Sequence, residues 1–181
     1  MDREEGLRLL ASKLSNKNLI KHSLAVEACM KGLAKKFGQD ASEWGLAGLL
    51  HDLDYEDTKD DFARHGFVSA GILKQKGIDD PIMEAIKAHP GHVERKTLMA
   101  KALYSVDPLT GLIVAAALMH PEKKLAALTT TFVLNRFKEK SFSRGANRQQ
   151  IQTCQEFGLA LEDFVTLCLQ AMQEISGELG L

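Results

Sequence analysis

The sequence predicts an all-α fold, a single domain built as a helical bundle. Apolar residues recur at helical spacing along most of the chain, and no convincing run of alternating β-branched residues interrupts them. Aromatic residues make up only 6% of the composition, while the helix formers Ala, Leu, Lys, Glu and Gln are abundant. At 181 residues the chain is long enough for one domain with a real core and a little short for two.

Capping residues and apolar periodicity define the helices of the first half. The predicted helices cover residues 2–14, 19–37, 43–53, 66–76, 81–89 and 98–107. We expect Asn18, Ser42, Asp80 and Thr97 to serve as N-caps of four of these helices, with Pro81 at the first position of the fifth helix. The polar segment 54–61 is expected to be an acidic loop.

Proline and asparagine residues mark the predicted helix starts in the second half of the chain. The predicted helices cover residues 108–119, 121–137, 147–157 and 161–174. Pro108 and Pro121 are expected to begin the first two of these helices, and Asn147 to cap the third. A polar, basic connection over 138–144 separates the second from the third.

Charge and composition narrow the classes of function. The formal net charge of −1 provides no strong basic field, which argues against general nucleic-acid binding but permits a small anionic substrate. We find no apolar run near the roughly 20 residues of a membrane span and no signal-peptide pattern at the N-terminus. The three scattered cysteines are expected to be free and buried. These features favour a cytoplasmic protein without membrane association.

Histidine and aspartate residues form the most informative pattern in the chain. They occur in the order His22, His51, Asp52, His65, His89 and Asp107. These two residue types readily combine to bind a divalent metal. A lone histidine on an apolar helical face is usually a core residue with a satisfied hydrogen bond. Asp107, however, ends an apolar stripe, where an unpaired buried carboxylate would cost several kcal/mol unless a cation lay nearby. The whole series therefore favours a metal site.

The order of these residues on successive helices resembles the HD superfamily of metal-dependent phosphohydrolases. The segments HDLDYE, RHG, AIKAHP and ALYSVDPLTG are similar to a subgroup of small predicted bacterial and archaeal HD hydrolases. The resemblance covers about residues 18–145. It implies one HD-like domain over 1–181, with the metal site between helices and the C-terminal helices over about 147–176 packed onto the core.

The resemblance also implies a set of metal ligands. His22, His51, Asp52 and Asp107 would bind a first metal. Asp52 would bridge to a second metal, and His65 and His89 would complete its coordination, as in the members of the superfamily that bind two metals. Histidine and carboxylate ligands suit Fe, Mn, Co or Zn. The identity of the metal, and whether one or two bind per chain, stays open.

Catalytic and substrate-binding candidates surround this series. Many HD phosphohydrolases orient water with an acidic residue just after the histidine–aspartate pair, and Asp54, Glu56 and Asp57 are the candidates here, with a solvated acidic loop as the alternative. Tyr55 stands third after Asp52 and makes that alignment ambiguous. The predicted contacts to a phosphorylated substrate are Arg64, His92, Lys101, Lys140 and Arg144.

Several functions are compatible with this pattern. The leading hypothesis is hydrolysis of a phosphoester of a small molecule, with a nucleotide as one candidate, by metal-activated water. The alternatives are a di-iron oxygenase of the HD type, a nucleotide-sensing module without turnover, and a purely structural helical protein. The sequence does not encode the substrate or the oligomeric state.

Overall fold

Helices connected by turns form the whole of the described structure. The computed structural model describes residues 1–78 and 80–181, and the prediction of an all-α fold is confirmed for them. The helices are α1 (Arg3–Lys13), α2 (Lys17–Lys36), α3 (Ala41–Leu50), α4 (Tyr55–Thr58), α5 (Phe67–Gln75), α6 (Asp80–Ala88), α7 (Leu98–Met119), α8 (Thr130–Lys138), α9 (Arg148–Gln152), α10 (Leu161–Glu174) and α11 (Ser176–Leu179). Short 3₁₀ turns lie at Phe62–Arg64, Leu125–Ala127 and Thr153–Phe157.

The core forms around α2, α3 and α7. Helix α2 packs against α3, α7 and α10, and α7 also packs against α6, α8 and α9. Helix α3 lies close to α2 at Gly48, where an added Cβ would lie 2.9 Å from the backbone nitrogen of Glu27. Only glycine permits this approach, and it occurs less than one turn before His51.

Two of the predicted N-caps are wrong by two residues. Asn16, not Asn18, caps α2, because its side-chain oxygen accepts from the Asn18 backbone N–H at 2.9 Å. Asp40, not Ser42, caps α3, and its carboxylate accepts from the Ser42 N–H at 2.7 Å. In both cases the true cap has an extended backbone, which a cap requires and local sequence preference does not reveal.

Helix α7 is continuous, so the predicted break before Pro108 is wrong. Pro108 has no backbone N–H, and the carbonyl oxygen of Tyr104 therefore lacks its helical donor. The side-chain amide of Gln150 in α9 replaces that donor at 2.8 Å. Because the helix continues, it is long and apolar enough to span a membrane by length and composition, a property that the predicted break concealed. More than half of its most apolar window, 56%, is buried inside the protein, as in a core helix.

The remaining helix boundaries follow the expectations in part. No helix starts at Pro121; a turn and a 3₁₀ segment lead instead to α8, which Thr129 caps by accepting from the Phe132 N–H. The acidic segment 54–61 contains α4 as well as turns. Asp80 is the first residue of α6 rather than its cap, and the residue before it lies outside the described part of the chain.

Two further caps, one whole helix and the cysteines agree with the sequence expectations, whereas the helix predicted over 147–157 is helical only to Gln152 and continues as a 3₁₀ segment. Thr97 and Asn147 cap α7 and α9, and α10 begins and ends as predicted. The three cysteines are buried free thiols.

Candidate metal centre

Five parts of the fold bring the histidine–aspartate series together. His22 lies on α2, His51 and Asp52 follow the end of α3, and His65 precedes α5. His89 lies just after α6, and Asp107 lies in α7. The helix end after Leu50 directs the side chains of His51 and Asp52 to the same place, although adjacent residues diverge on a regular helix.

The carboxylate of Asp52 lies at the centre of the cluster and divides it into two halves. Its Oδ2 atom is 3.7 Å from His22 Nε2 and 3.5 Å from His51 Nε2. Its Oδ1 atom is 3.2 Å from His65 Nε2 and 3.3 Å from His89 Nε2. Each oxygen therefore faces its own pair of imidazole rings, and the side chain is only 8% exposed.

Asp107 belongs to the half that contains His22 and His51. Its Oδ1 atom is 3.1 Å from His22 Nε2 and 3.9 Å from His51 Nε2. Ligand atoms of His22, His51 and Asp107 all lie within 4.8 Å of one another, as do those of His51, Asp52 and His89. His65 is outside these two compact groups, but its contact with Asp52 places it with His89.

Backbone carbonyl groups fix the orientation of two of the histidine rings. His51 Nδ1 is 2.8 Å from the Gly48 oxygen, and His89 Nδ1 is 2.6 Å from the Ile86 oxygen. Because a carbonyl oxygen only accepts hydrogen bonds, each Nδ1 carries the proton. When these rings are neutral, the lone pair is therefore on Nε2, the atom that faces Asp52.

Side chains fix the other two rings in the same way. His65 Nδ1 donates to the Asp54 carboxylate at 2.8 Å. His22 Nδ1 is 3.2 Å from the hydroxyl oxygen of Thr110, whose own proton is directed to the Asp107 backbone carbonyl. Anchoring of Nδ1 by such an acceptor is the usual arrangement for histidines that bind metals through Nε2.

The converging Nε2 atoms and carboxylate oxygens suit a divalent cation. His51 Nε2 is buried and has no hydrogen-bond partner in the described structure. His65 Nε2 and His89 Nε2 lie 3.1 Å apart, close enough to share either a proton or a bound cation. A cation between these nitrogens and the Asp52 oxygens would satisfy all of them, so the residues present suit one or two divalent metals.

Burial and neighbouring charges shift the pKa values of the cluster. Burial lowers the pKa of His51 to about 4, which leaves this ring neutral at pH 7. Burial opposes ionisation of Asp52, but His51 and the hydrogen bonds from His65 and His89 outweigh it and hold the Asp52 pKa well below its usual range. Burial disfavours the charged form of His65 as well, yet hydrogen bonds to Asp52 and Asp54 raise its pKa to about 9. Without a metal His65 therefore carries a proton on both nitrogens at pH 7, and a metal at Nε2 must displace one of them.

The predicted role of Asp54 in orienting water does not agree with the structure. Asp54 is fully buried, and it does not line the pocket beside Asp52. Its Oδ2 atom accepts from the backbone N–H groups of Gly66 (2.9 Å) and Ser69 (2.8 Å), while Oδ1 accepts from His65. Asp54 therefore positions His65 and does not face a substrate.

The other two acidic candidates also lie away from the pocket. Glu56 accepts from the backbone N–H groups of Ser15 and Asn16, at 3.0 and 2.8 Å. Asp57 is not part of the pocket lining. Glu56 is thus engaged with the backbone before α2, and neither residue is among those that line the pocket.

The pocket beside Asp52 contains none of the predicted substrate contacts. It is lined by Leu19, His22, Asp52, Tyr55, Phe62, His65, His89, Pro90, Asp107 and Gln150. Arg64, Lys140 and Arg144 lie elsewhere, and Lys101 borders a different surface depression with Arg95. His92 donates from Nε2 to the Phe62 carbonyl oxygen at 2.8 Å. Among the described residues, no lysine or arginine lines the pocket.

Five pocket residues are not among the predicted site residues, namely Leu19, Tyr55, Phe62, Pro90 and Gln150. Gln150 reaches the pocket while it bonds the free Tyr104 carbonyl, and Pro108 was the signal that some donor would be needed there. Tyr55 and Phe62 were part of a segment interpreted as a loop or its continuation, where local pattern does not indicate which side chains turn towards the site.

Comparison with known proteins agrees with this arrangement. The fold and the cluster define a helical protein with a histidine–aspartate site suited to divalent metals. The family model of the HD domain matches residues 19–117, more than half of the chain, and the chain belongs to this family. The resemblance that the sequence suggested is therefore confirmed.

Several curated relatives are named ribonuclease Y. The protein of Nitratidesulfovibrio vulgaris (strain DP4) is 31% identical over 96 residues, which cover 53% of this chain and 18% of that protein. The protein of Thermoanaerobacter pseudethanolicus is 30% identical over 137 residues, which cover 73% of this chain and 27% of that protein. The chain thus matches only a limited part of these longer relatives.

Proposed function

We propose that the protein is a metal-dependent phosphohydrolase. The observation that supports this proposal is the convergence of four histidine Nε2 atoms on the two oxygens of Asp52. His22, His51, Asp52 and Asp107 would hold one divalent cation, and Asp52, His65 and His89 a second. Cations at such a site supply activated water and neutralise charge on phosphoryl oxygens.

Residues of the chain itself would bridge the two cations and orient the histidine ligands. Asp52 offers one oxygen to each half of the cluster, which is the geometry expected of a bridging carboxylate. Gly48, Ile86, Asp54 and Thr110 hold the histidine rings in fixed orientations, so little rearrangement is needed when ligands bind.

The lining of the pocket restricts how a phosphate group can bind. With no lysine or arginine among the described lining residues, the charge of the phosphate must be balanced by the cations and their ligands. We therefore expect phosphate binding itself, and not only turnover, to require the metal. The pocket volume of about 280 Å³ accommodates a phosphate and part of a small organic group.

A small phosphorylated molecule is the proposed substrate, and a nucleotide is one candidate. The relatives named ribonuclease Y add an RNA phosphodiester as a second candidate. The net charge of −1 and the absence of basic residues from the described pocket lining favour the small molecule.

Reconstitution with metal tests the proposal. Chelator-treated protein is reloaded with Mn, Fe, Co or Zn, and its metal content is verified. Phosphate release is then measured on aryl phosphates and nucleoside monophosphates, and cleavage on cyclic nucleotides and a short single-stranded RNA. We expect metal-dependent hydrolysis that Asp52→Ala abolishes while its circular dichroism stays helical.

The same experiment separates the competing functions. Verified metal-loaded protein that cleaves no member of the panel would overturn the phosphohydrolase proposal. Oxygen uptake by the iron-loaded protein in the presence of an organic substrate would favour an oxygenase instead. Tight nucleotide binding without product would favour a sensing module.

A further inference from the structure

Exposed aromatic side chains cluster at one edge of the metal pocket. Tyr55 is 39% exposed, Phe62 is 55% exposed and Phe67 is 42% exposed. Within the described residues, every large aromatic side chain with such exposure lies in this region. Apolar side chains grouped on a surface beside a polar site commonly mark a place where a ligand binds.

Tyr55 and Phe62 form the part of this cluster that lines the pocket, and we call these two residues the aromatic rim. The Phe62 ring lies 5.3 Å from the His65 ring at an interplanar angle of 33°. The Tyr55 ring lies 5.6 Å from the same histidine ring at 82°. The aromatic rim is therefore in direct contact with a residue that faces Asp52.

The position of Phe62 is set by its neighbours. His92 donates a hydrogen bond to the Phe62 backbone carbonyl, and its ring lies 5.2 Å from the Phe62 ring. Phe67 stacks on the His92 ring, with the ring centroids 5.8 Å apart and an interplanar angle of 13°. His92 is thus a positioning residue for the aromatic rim, not a contact in the pocket lining.

The chemistry of the pocket leaves few ways to recognise the organic part of a substrate. The histidines and carboxylates account for most of the polar lining, and the Gln150 amide, which uses one N–H for the Tyr104 carbonyl, is the other polar side chain apart from the Tyr55 hydroxyl. The remaining lining is apolar or aromatic: Leu19, Pro90 and the aromatic rim. Among organic groups, a flat and weakly hydrated ring that stacks on an aromatic side chain should bind such a lining most favourably.

We propose that the aromatic rim is a subsite for a planar ring carried near the phosphate of the substrate. The preferred esters would be those of aryl alcohols or nucleosides, which share this ring, over phosphates of simple alkyl chains. The proposal rests on the proposed function, because it assumes that the phosphate binds beside Asp52.

Equilibrium binding to the metal-loaded protein tests the subsite without turnover. The probes are phenylphosphonate and a nucleoside 5′-methylenephosphonate, which carry a ring, and methylphosphonate, which does not. In Phe62→Leu we expect both ring-bearing probes to bind about tenfold more weakly, the effect of losing one stacking partner, while methylphosphonate is unaffected. The two ring-bearing probes separate an aryl from a nucleoside preference.

Two matched variants control for indirect effects. Phe62→Tyr retains a ring and is expected to bind all three probes as the wild type does. Phe132→Leu makes the same phenylalanine-to-leucine change at a partly exposed ring that contacts His120 and Arg136 and does not line the pocket, and it should change each affinity less than about twofold. Metal content is measured for every variant, since Phe62 contacts His65.

The outcomes distinguish the subsite from the proposed function. If methylphosphonate binds and Phe62→Leu weakens all probes equally, or none, the subsite is overturned while the phosphate site stands. If the ring preference disappears in Phe62→Leu but no phosphoester is hydrolysed, the subsite stands and the hydrolase does not. If no phosphonate binds the metal-loaded wild type, the subsite is overturned.

Discussion

Replacing Asp54 by asparagine should move the proton of the neutral His65 ring from Nδ1 to Nε2 without changing the shape of the core. In the structure the Asp54 carboxylate accepts three hydrogen bonds, from the His65 ring and from the backbone N–H groups of Gly66 and Ser69. An asparagine keeps one oxygen and places two N–H donors on the other terminal atom.

The two backbone donors decide which way the introduced amide turns. If its NH₂ group faced Gly66 and Ser69, two buried N–H groups would lose their acceptor, at a cost of about 1–3 kcal/mol each. The amide oxygen of the introduced asparagine therefore stays with these donors, and the NH₂ group faces His65 Nδ1. His65 must then accept at Nδ1 and carry its proton on Nε2, the atom that faces Asp52.

A protonated Nε2 cannot bind a metal, so the half of the site that contains His65 should lose affinity. Loss of a carboxylate that orients a metal-binding histidine typically costs about 10–100-fold in metal affinity, equivalent to about 1.4–2.7 kcal/mol. The half that contains His22 and Asp107 does not contact Asp54, and its affinity should change little. The free energy of unfolding without metal should fall by no more than about 2 kcal/mol.

Competition with a chromophoric chelator measures the two affinities, and Asp57→Asn is the matched control. That substitution makes the same chemical change three residues further along the chain, outside the pocket lining, and it should leave both affinities as in the wild type. Equal metal binding by Asp54→Asn and the wild type would refute the assigned role of Asp54. An equal loss at both halves would refute the division of the site.

Three further substitutions test how the fold supports the site. Gly48→Ala places a Cβ within 2.9 Å of the α2 backbone, and overpacking of this kind should lower the free energy of unfolding in urea by about 1–3 kcal/mol and weaken metal binding. Gln150→Ala removes the donor to the unpaired carbonyl of α7, and a loss of about 1 kcal/mol should lower Tm by roughly 2–4 °C in a thermal melt. Arg148→Ala removes a guanidinium that donates to backbone carbonyls in the turn after α8, and urea denaturation should show a loss of about 2–4 kcal/mol.

Matched controls and contrary results accompany these substitutions. Gly45→Ala meets only a flexible lysine side chain, so a loss as large as that of Gly48→Ala would argue against the helix contact. An unchanged melt of Gln150→Ala would mean that water replaces the amide. Arg144→Ala changes an exposed arginine in the same turn, and a cost equal to that of Arg148→Ala would contradict the assigned bonds.

The histidine–aspartate series could be predicted from the sequence because its evidence is the type and order of the residues, which do not depend on how distant helices pack. Asp107 ends an apolar stripe, and a carboxylate buried there would need a compensating charge. His51 and Asp52 are adjacent at a helix end, where their side chains can converge without reference to distant residues. The structure places these residues around one carboxylate. Their identity as metal ligands is a prediction that metal analysis must test.

The supporting and substrate-facing residues could not be predicted in the same way. Asp54 and Glu56 are alike in the sequence, yet one lies buried against His65 and the other accepts from Ser15 and Asn16 across 41 and 40 residues. The side on which such a residue lies depends on packing of distant elements. The basic loop residues that were predicted to contact a substrate do not line the pocket, because a local charge pattern does not indicate the direction of a loop.

The helix boundaries show where propensity is overridden by tertiary contacts. Pro108 normally begins or ends a helix, but the Gln150 amide supplies the missing donor and α7 continues through it. That partner is 46 residues away from Tyr104, and no local window includes it.

The number of metals bound per chain tests the central claim most directly, namely that Asp52 bridges two halves of one site. Elemental analysis of protein purified without chelators and reconstituted with Mn, Fe, Co or Zn should give about two metals per wild-type chain. His89→Ala should keep about one, and Asp52→Ala should lose both. No bound metal in the reconstituted wild type, or full metal content in Asp52→Ala, would contradict the account.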